Sequence, residues 1–128
     1  MARKVLQVLE TAYRCTVQEQ DDPVVWITAM MKNAGGDLSL LLRGPAVNYA
    51  VNGQDASGLA FGEKKQNQPP RLDEDLGRLL AKGVEVYFVQ EDASERGLEP
   101  KDLVKGVRPV DRRALPQLLA RFDQVWHW

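Results

Sequence analysis

The chain is poor in reactive side chains. Its 128 residues include one cysteine, Cys15, and one histidine, His127. A single cysteine excludes an internal disulfide and a zinc site built on thiolates. Charge of either sign is also lacking in excess, with 17 Lys and Arg against 18 Asp and Glu. Such a balance gives no global attraction to nucleic acid or an anionic membrane, so neither is expected as a partner. Long apolar runs are missing too. "MARKVLQVLE" places two positive charges before an apolar run too short for a signal peptide or a membrane span, which makes a cytoplasmic address the expectation.

A phosphate cradle is likewise absent. "GLAFGEKK" has only three residues between Gly58 and Gly62, has Glu63 before Lys64, and lacks a following Ser or Thr to hold magnesium. The turn "ETAYRCT" has hydroxyls but no glycine that would let backbone amides wrap a phosphate, which argues against a flavodoxin-like mononucleotide site. No cofactor and no metal are expected.

Alternation of strands and helices is what the chain does contain. "KVLQVL" is short and apolar enough for a buried strand. Asp22 and Pro23 provide an N-cap and first helical residue. The helix that follows carries a stripe of Val24, Ile27, Met31 and Ala34, with Trp26 and Met30 alongside, and stops at Gly35 and Gly36. "DLSLLL" is a second strand, ending at Arg43–Gly44, and Pro45 opens a short helical segment. Residues 54–68 are polar and without period, a loop. Leu72, Leu76, Leu79 and Leu80 then mark a helix that ends at Gly83. "VEVYFV" is a third strand, "ASERG" and "EPKDLVKG" are helical turns, and "VRPV" is a short extended piece. Asp111 precedes a helix with the stripe Leu115, Leu118, Leu119 and Phe122, and "QVWHW" is a last strand with two indoles on one face. The whole chain, 1–128, reads as one α/β domain: three layers, α/β/α, around a mostly parallel sheet of about five strands.

Ligands of open α/β sheets bind outside the carboxyl ends of the strands. Those ends fall in residues 10–16, 43–48 and 90–96. Cys15 is the one thiol nucleophile available; Arg14 beside it favours the thiolate, and a small buried hydrophobe is the alternative. No carboxylate is placed by sequence to orient His127, so packing or an edge-polar role is its default. Glu91 and Asp92 read as caps of the turn that follows them. Asn48, with Tyr49, Asn52 and Gln54, supplies amides for a ligand or for loop backbone.

In order and spacing, "KVLQVLE", "LLLRGPAVNYAV", "KGVEVYFVQEDASERGL" and "DLVKGV" resemble the DsrE/DsrF-like family of small sulfur-relay proteins, which have the YchN-like fold. The resemblance spans nearly the whole chain. It implies a homo-oligomer (dimer, trimer or hexamer) and, in active members, a persulfide-carrying cysteine that passes sulfur to a relay partner. Judged by its spacing to Arg96–Gly97, that cysteine's position holds Val89 here. Valine forms no persulfide. Two readings follow. One is a non-catalytic member that binds a small ligand or a partner at the strand ends, through Tyr13, Arg14, Arg43, Asn48, Val89, Gln90 and Glu91. The other is a sulfurtransferase or thiol-redox protein that uses Cys15 instead.

Overall fold

The computed structural model describes residues 3–12 and 21–128. The elements run β1 (Lys4–Leu9), α1 (Pro23–Asn33), β2 (Asp37–Leu42), a 3-10 segment (Gly44–Ala50), β3 (Ala60–Phe61), β4 (Lys64–Lys65) and α2 (Leu72–Ala81). Then come β5 (Glu85–Val89), α3 (Gln90–Glu95), a 3-10 turn (Pro100–Asp102), β6 (Arg108–Val110), a 3-10 turn (Arg112–Ala114), α4 (Leu115–Leu119) and β7 (Gln124–His127). The main sheet has five strands in the order β6-β5-β2-β1-β7, all parallel. This is the three-layer α/β arrangement expected from the alternation.

The order explains which face each helix covers. From β1 through β2 and β5 to β6 the chain steps in one direction, and crossovers of one hand keep their helices on one face. Leu9, Leu40, Leu42, Val86 and Phe88 pack there with Val24, Val25, Leu72, Leu76 and Leu79. The return from β6 to β7 runs the other way, so α4 lies on the opposite face. Leu6, Val8, Leu41, Tyr87 and Val89 meet Leu115 and Leu118 there. Strands covered on both faces must be apolar at successive positions, which is why β1 and β2 read as runs rather than alternations.

Asp22 caps α1 as expected. Its Oδ1 accepts from the amides of Val24 (2.9 Å) and Val25 (3.2 Å), and its Oδ2 from the Tyr49 hydroxyl at 2.6 Å. The buried stripe of α1 differs from the expected one: it is Val24, Val25 and Thr28. Thr28 donates to the Val24 carbonyl and accepts from the side-chain amide of buried Gln7, so a polar residue faces the sheet without an unpaired group. The helix is thereby rotated, and Trp26 and Met30 are exposed.

Two further expectations are corrected. Residues 54–68 are not all loop, because β3 and β4 form an antiparallel hairpin through Gly62–Glu63. Gly62 has φ +61°, the left-handed turn conformation that glycine supplies without steric cost. Two-residue strands have no period to read. The helical turn expected at residues 93–97 is instead α3, which starts at Gln90 directly after β5. Among the described residues no helix is long and apolar enough to cross a membrane.

Candidate functional site at the carboxyl edge of the sheet

All five strands point the same way, so their carboxyl ends form one edge. Two carboxylates organise it. Asp92, in the first turn of α3, is buried. Its Oδ2 accepts from the Gly44 amide at 2.7 Å, at the end of β2, and its Oδ1 from Arg112 Nη2 at 2.7 Å, beyond β6. Arg112 Nη2 also reaches Glu95 at 3.4 Å, and the Arg112 amide donates to both Glu91 oxygens at 2.9 Å. Arg96 Nη1 donates to the Asp92 carbonyl at 3.0 Å.

The second carboxylate is Glu10, just past β1. Its Oε2 lies 2.7 Å from His127 Nε2, at the end of β7, and its Oε1 lies 3.7 Å from Arg43 Nε, past β2. The backbone holds this half in register: the Glu10 amide donates to the Trp128 carbonyl at 3.1 Å, and the Trp128 amide to Val8 at 2.9 Å. The Trp128 indole donates to Gln7 Oε1 at 2.7 Å, which carries the contact inward to Thr28.

Burial tends to raise the pKa of Asp92, yet the Gly44 amide and the Arg112 guanidinium outweigh it and hold the carboxyl below its ordinary value. The Asp92 hydrogen bond and then that of Glu95 raise the pKa of Arg112. At Tyr87 desolvation comes first, and the hydroxyl's hydrogen bond to Glu85 adds to it; both raise the phenol's pKa. Around Asp92, ion pairs and backbone amides therefore hold the edge as fixed charge.

The residues singled out from sequence are distributed unevenly. Arg43 stands in the Glu10 cluster and Glu91 in the Asp92 cluster. Gln90 reaches Ser94 Oγ at 3.4 Å and lines a cavity beside β6. Asn48 lies apart from both clusters, its carbonyl accepting from Gln54 Nε2 at 3.1 Å. Val89 is 1% exposed and packs among Leu6, Val8, Leu41, Tyr87, Leu115 and Leu118. Tyr13, Arg14 and Cys15 lie outside the described residues.

Glu91 and Asp92 do stand in the first turn of α3, where carboxylates suit the helix N-terminus, but among the described residues their side-chain hydrogen bonds go elsewhere than to the amides of α3. They cap two other segments instead: the 3-10 helix that starts at Gly44 and the 3-10 turn that starts at Arg112. Carboxylates satisfy unpaired helical amides equally well from a distant part of the chain. His127 does have a carboxylate partner, Glu10, which lies 117 positions away. Arg112 is the residue that sequence reasoning missed altogether, because its partners Asp92 and Glu95 lie 20 and 17 positions away in the chain.

No family model matches the chain, and no curated protein matches it. Solved structures do. Over 100% of both chains the fold is similar to the YchN protein from E. coli, at 21% identity and a TM-score of 0.70. A conserved protein of unknown function from Bacteroides thetaiotaomicron aligns over 98% of this chain and 95% of its own, at 14% identity and TM-score 0.71. A protein of unknown function from Methanobacterium thermoautotrophicum aligns over 98% and 99%, at 13% identity and TM-score 0.58. The chain has the YchN-like, DsrE-like fold, as the resemblance in sequence implies.

Proposed function

We propose that this chain is a non-catalytic, homo-oligomeric binding protein on the YchN-like scaffold, taking a small ligand or a partner protein at the carboxyl edge of its sheet. The observation that carries the reading is the state of Val89. At the position the resemblance assigns to a sulfur carrier, an inert side chain is buried at 1% exposure in the apolar layer under α4. The polar groups next to it serve as caps and ion pairs and supply no nucleophile. Fixed charge of this kind suits recognition, because a pre-organised rim loses little freedom when a partner docks.

The test is the fate of Cys15 when the full-length protein meets a persulfide donor. The proposal expects slow reaction of the thiol with Ellman's reagent and no mass gain of one sulfur atom after alkylation. It also expects the same oligomer in Cys15→Ser as in the parent. Persulfide trapped on Cys15, and lost in Cys15→Ser, would overturn it in favour of a sulfurtransferase that works through that thiol.

A further inference from the structure

Between the β5–β6 edge of the sheet and residues 100–107 lies a cavity of about 480 Å³. Its volume is that of a small-molecule site. Phe88, Leu103, Val104, Val107, Pro100 and Pro109 supply its apolar lining. The polar lining is Asn52, Gln90, Lys101 and Lys105, with no Asp or Glu among the described residues that form it.

The walls are pinned by backbone rather than left to side-chain chance. Phe88 and Pro109 are register partners across β5 and β6. On the far side, residues 102–104 are tied to residues 50–52. The Val104 amide donates to the Ala50 carbonyl at 2.7 Å, the Asn52 amide to Asp102 at 2.8 Å, and Asn52 Nδ2 to the Leu103 carbonyl at 2.7 Å. Gly106, with φ +107°, makes the turn that brings the chain back to β6, and a Cβ there would come within 3.3 Å of Leu80. A site whose walls are already hydrogen-bonded is largely formed before a ligand arrives.

Its charge is one-sided. Lys101 pairs with Glu99 at 3.3 Å, but both side chains are well exposed, so that pair is weak and easily exchanged. Among the described residues Lys105 forms no ion pair. The nearby acid Asp102 is occupied, accepting from the Glu99 amide at 2.8 Å. Two lysines in an otherwise neutral, largely apolar lining match a molecule with one anionic end and an apolar body. Among the described residues the cavity has lysines but no glycine-rich cradle of amides, the feature that wraps a phosphate, so a carboxylate is the anion assigned to it.

From this lining and charge, resting on the reading of the carboxyl edge as a binding edge, we infer that the cavity is a site for a small amphipathic carboxylate. The apolar body lies on Phe88, Leu103 and Val107, and Lys101 and Lys105 meet the carboxylate.

Octanoate and its neutral analogue octanamide, titrated into the full-length protein and followed by amide NMR, provide the test. Octanoate is expected to shift the amides of Phe88, Gln90, Leu103, Lys105 and Val107, and to bind about fivefold more tightly than octanamide, as two solvent-facing charge pairs allow. The double variant Lys101→Gln, Lys105→Gln should remove that preference and leave octanamide binding unchanged. Both substitutions replace exposed side chains, so the fold is retained. Equal binding of the two compounds at the cavity would overturn the carboxylate assignment while supporting a binding edge. Shifts centred on Trp26, Met30 and Trp128 would reveal adsorption to exposed apolar surface and overturn the site. Absence of any shift would overturn the site too, and the reading of the edge would then stand or fall on the Cys15 experiment alone.

Discussion

Asp92 and Glu10 stand on either side of the end of β2, and each bridges three segments of the chain. They differ in how much water they see. The Asp92 side chain is 12% exposed, and both its partners lie at 2.7 Å. The Glu10 side chain is 43% exposed, and one of its partners lies as far as 3.7 Å away. Consecutive residues of β2's exit serve the two sites, Arg43 turning to Glu10 and the Gly44 amide to Asp92. The same chemistry thus appears twice on one edge, once shielded and once open. Charge pairs gain with desolvation only when fully partnered, and they fade when screened. The shielded cluster should therefore hold the fold and the open one should be free to exchange partners.

The largest effect that separates them is expected from Asp92→Ala. It leaves the Gly44 amide unpaired in a partly buried place and frees Arg112 from its closest anion. A loss of about 2–3 kcal/mol is expected in urea unfolding, since breaking a buried, hydrogen-bonded charge is costly. A loss below about 0.5 kcal/mol, the range of ordinary surface substitutions, would erase the contrast between the clusters.

Acid titration sharpens the contrast through its sign. The carboxyl of Asp92 has a lowered pKa in the folded protein, so in the acid range the unfolded chain binds more protons. Its stabilisation is complete above the unfolded value, near pH 4, and is lost as pH falls through the lower folded value. Asp92→Asn should remove that part of the acid-side slope. Asp75 should act oppositely. Burial, then repulsion from Asp21, raises its pKa, and its Oδ2 is buried with no hydrogen-bond partner among the described residues. The folded state there binds the proton first, so Asp75 contributes a stability that grows on acidification. Asp75→Asn is expected to be neutral or stabilising at pH 7 and to lose that advantage below about pH 4. Matching slopes for the two asparagine variants would contradict the assignment.

Gly44 links the two clusters, and its φ of +56° is the reason a glycine stands there. A Cβ would meet Glu10, its side chain at an ordinary 3.5 Å and its backbone carbonyl at 3.9 Å, so the cost of Gly44→Ala is conformational rather than steric. It should amount to about 1–2 kcal/mol in the same unfolding measurement. A neutral result would mean that the turn relaxes and carries the Gly44 amide away from Asp92, which the shift of that amide in an NMR spectrum would reveal.

Sequence reading reached the elements but not these clusters. β1, β2 and β5 were legible because strands buried on both faces read as near-continuous apolar runs, and α1 because Asp22 and Pro23 mark its start. The start of α3 was not, for no glycine, proline or side-chain cap separates Val89 from Gln90. The partner of Asp92 is set by sheet order, which brings the exit of β2 and the segment after β6 to the same place. His127 meets Glu10 only because the chain returns from β6 to the far side of β1. Pairing over 117 positions leaves no local trace in sequence. The same holds for Arg112, whose neighbours in the chain are those of an exposed turn.

The smallest effect completes the comparison. Glu10→Gln keeps the side chain's length and a polar end and removes only its charge. With His127 exposed and Arg43 half-buried, the loss should stay under about 1 kcal/mol and shrink further in high salt, because screened pairs contribute little. The partners of Asp92 respond less to salt, since one of them is a backbone amide rather than a mobile ion. Measured at low and high ionic strength, the ratio of the Asp92→Ala to the Glu10→Gln loss should therefore rise with salt. If it fell, the Glu10 cluster would be the shielded one in solution, and the open half of the edge would have to be sought at Arg112.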